Sequence, residues 1–90
     1  MNAPARPEEW TFAHIGLPRI TVNPAVMTGQ PCIRGLRMPV VTLMKLIAAG
    51  WTTDQVLREY PFLEPEDLHQ ALSFAAWHTD EHYLPLTPAP

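Results

Sequence analysis

One segment of the chain restricts the backbone more than any other: GQPCIRGLRMPV, from Gly29 to Val40, holds two glycines, two prolines and two arginines in twelve positions. Glycine permits left-handed backbone conformations, proline fixes φ and removes a donor, and arginine supplies a rigid fork of donors. The mixture suits neither a helix nor an ordinary strand. We therefore predict a shaped turn that carries two cations, with structural positions at Gly29, Pro31, Gly35 and Pro39.

The chain has 90 residues, which suits one small domain. Two independent hydrophobic cores within this length would each be too small to be stable. The hydrophobic fraction of 47% is ample for a core, and 17% charged residues are too few for a chain kept unfolded by its charge. We expect an N-terminal tail at residues 1–14, a single domain at 15–82 and a C-terminal tail at 83–90.

Two short extended runs are candidate strands, one before the segment Gly29–Val40 and one at its end. Ile20–Val22 is rich in β-formers and ends at the turn-initiating pair Asn23-Pro24, and Arg37–Val40 follows the predicted turn. The sequence therefore predicts a two-stranded β-ribbon, which needs helices or a second subunit to cover it.

A nearly all-apolar run, Val40 to Ala49, predicts a buried helix in which only Thr42 and Lys45 mark a solvent-facing side. The helix is expected to end at Gly50, where a left-handed cap costs glycine least. The next helix has an explicit start, because Thr52 is a good N-cap and Gln55 completes a capping box.

Pro61 ends the second helix, and the third begins near Pro65 with Glu66 and Asp67 in its first turn, where the helix dipole favours anions. The fold class predicted is mainly α, a β-ribbon followed by a three-helix, helix-turn-helix core. The inward stripe expected for the third helix comprises Leu68, Ala71, Leu72 and Ala75, widened by Phe74 and Trp77.

In a helix-turn-helix domain the third helix would read DNA. Its predicted outward face, near Glu66, His69, Gln70 and Ser73, carries hydrogen-bonding groups but no arginine or lysine. Its acidic first turn would meet phosphates unfavourably, and the net charge of −3 argues against coating nucleic acid by bulk charge. A local patch stays open, because five of the six cations lie between Arg19 and Arg58. The candidate contacts to DNA or a partner are Arg34, Arg37, Lys45, His69, Gln70 and Ser73.

Two readings of the paired arginines remain open from the residues. Arg34 and Arg37 either pair with carboxylates or carbonyls of their own fold, or contact DNA phosphate or an acidic partner.

Catalytic chemistry finds little support in the sequence. His78 and His82 are four residues apart and would share a helical face, but two histidines make an incomplete metal site, so a metal-dependent hydrolase is a weak alternative. Cys32 has no positioned base and is expected to pack as a small hydrophobe. We predict no enzyme activity, no cofactor and no metal.

The cellular compartment is predicted from the cysteine count and from the length of the apolar segments. A single cysteine excludes an intramolecular disulfide, the N-terminus lacks an apolar signal region, and the apolar stretches are too short to span a membrane. We expect a cytoplasmic protein without membrane partners.

The stretches ITVNPAVMTGQPCIRGLRMPV and LIAAGWTTDQVLREYPFLEPEDLHQAL, within Pro18 to Trp77, resemble the domain of unknown function 433 family. Its long pattern GxPxIRGxRxP and the later Tyr60-Pro61 fall in register here. The resemblance implies a homeodomain-like helix-turn-helix core and a VapB-like antitoxin, which binds a PIN-like ribonuclease toxin and, as a homodimer, its operator DNA. Carboxylates of the toxin's metal site would be one partner for Arg34 and Arg37.

The function expected is therefore an antitoxin of a type II toxin–antitoxin module. The alternative is a non-catalytic interaction or assembly module that never binds DNA, which suits the negative net charge and the acidic third helix.

Overall fold

A computed structural model describes residues 10–81 of the chain. The predictions for His82, for residues 83–90 and for the first nine residues of the N-terminal tail lie outside it. The described part has three strands followed by three helices, with short 3₁₀ turns at Ala13–Ile15 and Met27–Gly29. The elements are β1 (Trp10–Phe12), β2 (Leu17–Val22), β3 (Cys32–Ile33), α1 (Val40–Ala48), α2 (Thr53–Glu59) and α3 (Pro65–Glu81).

The strands form one antiparallel sheet in the order β1-β2-β3. Ile20 of β2 lies opposite Ile33 of β3, and both side chains are fully buried. The register between β1 and β2 shifts after Thr11, so that Phe12 pairs with Leu17. The sheet thus presents one apolar face, which α3 covers through its packing against β2.

The predicted two-stranded ribbon is wrong in two respects. A third strand, β1, begins at Trp10, inside the predicted N-terminal tail. The predicted strand Arg37–Val40 does not form, because Pro39 has no N–H for a ladder and makes only an isolated bridge to Cys32. The backbone of Pro39 has φ −66° and ψ 145°, and Pro39 is the residue that directly precedes α1.

The boundary between α1 and α2 agrees with the sequence prediction. Gly50 has φ +99°, and α1 ends just before it at Ala48. The capping box at the start of α2 is complete, since the Gln55 amide donates to Thr52 Oγ1 at 3.1 Å and the Thr52 amide donates to Gln55 Oε1 at 2.7 Å.

The buried faces of α1 and α3 are narrower than predicted. Only Val40 and Leu43 of α1 are buried. Lys45 is exposed as predicted, whereas Val41, which the apolar run predicts to be buried, is 47% exposed. On α3 the buried face is turned away from Leu72, which is 39% exposed. The α3 residues that are buried are Asp67, Leu68, Gln70, Ala71 and Phe74.

The core lies between the sheet and the three helices. None of the helices described is long and apolar enough to cross a membrane. The buried cluster comprises Leu17, Ile20, Ile33, Met38, Val40, Leu43, Val56, Leu63, Leu68, Ala71 and Phe74.

Candidate functional site

The turn after β3 places an arginine where the backbone rarely allows one. Arg34 has φ +48° and Gly35 has φ +70°, and the Leu36 amide closes the turn by donating to the Ile33 carbonyl at 2.7 Å. Two successive positive φ angles are typical of type I′ turns, whose second position suits glycine. The Arg34 amide also donates to the Arg19 carbonyl at 2.7 Å, so the turn is fixed to β2.

The Asp67 carboxylate is the centre of the network that this turn joins. Its side chain is fully buried, although it lies in the first turn of α3. Arg34 binds both oxygens, Nε to Oδ1 and Nη2 to Oδ2, each at 2.9 Å. Arg19 Nη1 adds a bond of 3.0 Å to Oδ1, and the Glu64 amide donates to Oδ2 at 2.8 Å. We call these four residues the Asp67 cluster.

The electrostatics of the Asp67 cluster favour the ionised carboxylate. Burial by itself raises the pKa of Asp67, but the hydrogen bonds from Arg34, the Glu64 amide and Arg19 outweigh it and hold that pKa below its usual range. Reciprocally, the bonds to Asp67 raise the pKa of Arg34. The charge of Asp67 is thus compensated inside the fold.

Three further hydrogen bonds extend the network. Arg34 Nη2 donates to the Phe62 carbonyl at 2.8 Å, which ties the turn to the loop before α3. Gln70 accepts from the Arg19 amide at 2.9 Å and donates to Glu66 Oε2 at 2.9 Å. The prediction of an outward Gln70 is wrong, because its amide links α3 to β2 and the residue is buried.

The other candidate contacts are spread over the surface. Arg37 and Lys45 are exposed and make no ion pair with another described residue. His69 is exposed, with Nδ1 3.4 Å from Glu66 Oε2, and Ser73 is half-buried. The structure therefore separates Arg34, which is bound within the fold, from Arg37, which makes no ion pair with the residues that the structure describes.

A groove runs between α1 and α3, which pack against each other. Its cavity measures about 290 Å³ and is mostly apolar. We call it the α1–α3 groove; its walls include Pro31, Val41, Met44, Phe74, Ala75 and His78.

Cations stand along the α1 side of this groove. Lys45 follows Val41 by four residues and so lies one turn further on the same helical face. Gln30 borders both the groove and an adjoining cleft that contains Arg37. The described α3 residues that line the groove, Phe74, Ala75, His78 and Thr79, include no carboxylate.

Metal chemistry has no visible centre in the described part of the chain. Between residues 10 and 81 no group of three or more His, Cys, Asp or Glu side chains could hold an ion. His78 packs near Phe74, with ring centroids 5.9 Å apart. Cys32 is buried, as expected for a small hydrophobe, and burial raises the pKa of its thiol.

Sequence reasoning missed Asp67 and Arg19 as interacting residues, although one signal was present. Asp67 precedes Ala71 by four residues and Phe74 by seven, so it lies on the buried face of α3. A buried carboxylate requires cationic partners. No local pattern identifies Arg19, which is 48 residues away.

The fold and the GxPxIRGxRxP turn define a small protein of three helices preceded by a three-stranded antiparallel sheet. The family model described as "Protein of unknown function (DUF433)" matches residues 20–75, and the chain belongs to this family. The solved structure of a DUF433 member from Anabaena variabilis is similar, with a TM-score of 0.67 and 30% sequence identity, over 77% of this chain and 67% of that one.

A second relative extends well beyond this domain. The chain is 32% identical over 56 residues to "Uncharacterized protein y4eO" of Sinorhizobium fredii. The match covers 62% of this chain and 25% of that protein, so the chain spans only about a quarter of its relative.

Proposed function

We propose that this chain is a cytoplasmic, VapB-like antitoxin that acts by binding a PIN-like ribonuclease and not by catalysis. The observation that carries the proposal is the α1–α3 groove, where Val41 and Met44 leave apolar surface beside the core. Apolar surface rimmed by polar groups is typical of protein-binding sites. The antitoxin role rests on the family resemblance, and the groove supplies a surface for it.

The internal use of Arg34 also supports protein binding over catalysis or base reading. Its guanidinium is held by Asp67 and the Phe62 carbonyl, so it is a structural cation. Gln70 is likewise held inside the fold. At the exposed start of α3, Glu66 disfavours contact with phosphates, and the Glu64 carboxylate is ion-paired with Arg19.

Co-expression with the ribonuclease encoded by the adjacent reading frame tests the proposal. We expect the two proteins to co-purify and the ribonuclease activity to fall to background at a stoichiometric ratio. Val41→Gln should weaken the complex, whereas Phe62→Gln, a matched change of an exposed apolar residue outside the groove, should not. Unchanged ribonuclease activity in the presence of excess partner would refute the antitoxin role.

A second candidate function is operator binding by a homodimer through a homeodomain-like helix-turn-helix core. The order of two short helices and one long helix supports it, as do Arg37, Lys45 and Arg58, which are exposed and form no ion pair with other described residues. The outer edge of β1, with Trp10 59% exposed, offers a place for a second subunit to pair.

A mobility-shift assay on the promoter of the same operon distinguishes this candidate from a module that never binds DNA. Binding should fall steeply with salt, and Arg37→Ala should reduce the slope by about one phosphate contact. Sedimentation measures the dimer. If no shift occurs at low salt with the ribonuclease present, the interaction module without DNA binding is the better description.

A further inference from the structure

The α1–α3 groove has a polarity that restricts what it can bind. We propose that it receives an acidic amphipathic helix of the partner protein, oriented with its carboxylates along α1. This inference rests on the proposed protein-binding function and names the chemistry of the bound segment.

The floor of the groove is suited to apolar side chains. Phe74 is buried beneath it, and Val41 and Met44 supply the α1 wall. An apolar cavity of roughly 150 Å³ accommodates a benzene-sized group, so the volume here, about 290 Å³, accommodates one or two large side chains. A helix presents such side chains at a spacing of three or four residues.

An exposed apolar residue of α3 lies outside the lining of the cavity. Leu72, exposed by 39%, precedes the lining residue Thr79 by seven residues, which places both on one side of the helix. The rise of an α-helix makes this distance roughly 10 Å. A bound helix of about two turns that followed α3 from Thr79 would reach Leu72.

Charge sets the orientation of that helix. Lys45 lies one turn beyond Val41, and Arg37 stands in the cleft next to Gln30, both without an ion pair to other described residues. The α3 side of the lining has no carboxylate or cationic Lys or Arg among the described residues. Carboxylates of the bound helix are thus attracted towards α1.

A second copy of this chain is a poorer complement to the same surface. A two-fold contact that sets α1 against α1 would oppose Lys45 and Arg37 to the same cations, and one that sets α1 against α3 would oppose them to a described lining without carboxylates. An acidic helix from a different protein neutralises both. Charge complementarity therefore favours a heterologous partner.

The test uses the full 90-residue chain and a blocked, fluorescein-labelled helical peptide of about 16 residues. The peptide carries leucines at positions i, i+4 and i+7 and glutamates along one edge; a control peptide replaces the glutamates with lysines. Fluorescence anisotropy should show that the acidic peptide binds at least about tenfold more tightly than the basic one at low salt.

Protein variants locate the contact. Lys45→Glu should weaken binding of the acidic peptide about tenfold, whereas Arg58→Glu, the same charge change at an exposed cation of α2, should leave it unchanged. Val41→Gln should weaken both peptides, and Phe62→Gln neither. Circular dichroism of each variant checks that the helices are intact.

Four outcomes would overturn the inference. Two of them are equal affinity for the acidic and basic peptides, and equal effects of Lys45→Glu and Arg58→Glu. The third is self-association of the free chain that Val41→Gln abolishes, which would assign the groove to a second copy. The fourth is displacement of the peptide by an unrelated DNA duplex at stoichiometric concentration, which would assign the cations to nucleic acid.

Failure of this inference is distinguishable from failure of the proposed function. If the ribonuclease co-purifies and is inhibited but the acidic peptide does not bind, only the identity of the bound segment is wrong. If the peptide binds and Lys45→Glu releases it, but the ribonuclease is not inhibited, the groove assignment stands and the antitoxin role fails.

Discussion

The Asp67 cluster and the α1–α3 groove use similar residues in opposite ways. In the cluster, Arg19 and Arg34 turn inward and bind a fully buried carboxylate. Beside the groove, Arg37 and Lys45 stay exposed, without ion pairs to the other residues described. Arg34 lies in the turn after β3, and Arg37 lies three residues further along the chain, just outside that turn. This short separation distinguishes a structural cation from one that is available to a partner.

The difference between the two regions lies in what a mutation would disturb. The Asp67 cluster joins β2, the turn after β3 and the start of α3, and a buried carboxylate tolerates no loss of its partners. The α1–α3 groove joins two helices that already bury Leu43 and Phe74. Stability should therefore depend on the cluster, and binding on the groove.

The largest effect is expected for Asp67→Ala. The change leaves Arg34 and the Glu64 amide without their acceptor and removes the anchor of the left-handed turn. Breaking a buried, hydrogen-bonded ion pair typically costs about 3–5 kcal/mol. Urea denaturation followed by circular dichroism at 222 nm measures the loss.

Asp80→Ala provides the matched control for this experiment, because Asp80 is an exposed aspartate of the same helix. Its free energy of unfolding should stay within about 0.5 kcal/mol of the unmodified chain. If Asp67→Ala changed the free energy of unfolding by a similarly small amount, the Asp67 cluster would not be structural, and the two regions would not differ in their effect on stability.

The next largest effect is expected at low pH, where protonation of Asp67 weakens its ion pairs with Arg34 and Arg19. The pKa of Asp67 is lower in the folded chain than in the unfolded one, so its contribution is fully present above the ordinary aspartate pKa and is lost as pH falls through the lower, folded value. Free energies of unfolding from urea melts across this acid range should decrease for the unmodified chain. Asp67→Asn should lack that part of the decrease; equal acid sensitivity of the two would contradict the assignment.

A smaller loss is expected at a contact outside both regions. Thr52→Ala removes the hydroxyl that accepts from the Gln55 amide, and loss of an N-cap typically costs about 1 kcal/mol. Thr53→Ala, at an adjacent exposed threonine that already lies inside α2, is the control and should cost less. A loss as large as that of Asp67→Ala would mean that local caps, and not the cluster, dominate stability.

Local elements of this fold could be predicted from the sequence, whereas contacts between distant segments could not. The capping box at Thr52, the start of α1 at Val40 and the start of α3 at Pro65 depend on neighbouring residues, and all three are confirmed. The strand β1 was missed because three residues, Trp10–Phe12, carry too little pattern. Its pairing with β2 supplies the order that its own sequence lacks.

The site was less accessible to sequence reasoning for the same physical reason. Arg34 was left between a structural and a contact role, since its partner, Asp67, lies 33 residues away. On α1, Lys45 marks the exposed side as predicted, but the apolar run also predicts that Val41 is buried, and Val41 is exposed. Residues that stay apolar without being buried are informative only once the packing is known.

The smallest effect on stability, with a large effect on binding, is expected for Val41→Gln. Because Val41 is already 47% exposed, the change should alter the free energy of unfolding by no more than about 0.5 kcal/mol. Leu43→Ala, two residues further along α1 at a fully buried position, should cost about 2–5 kcal/mol and serves as the contrast. Urea melts of both variants, beside anisotropy with the acidic peptide, separate the two roles of the helix. If Val41→Gln destabilised the chain as much as Leu43→Ala, Val41 would belong to the core. The α1 wall of the groove would then not be a binding surface.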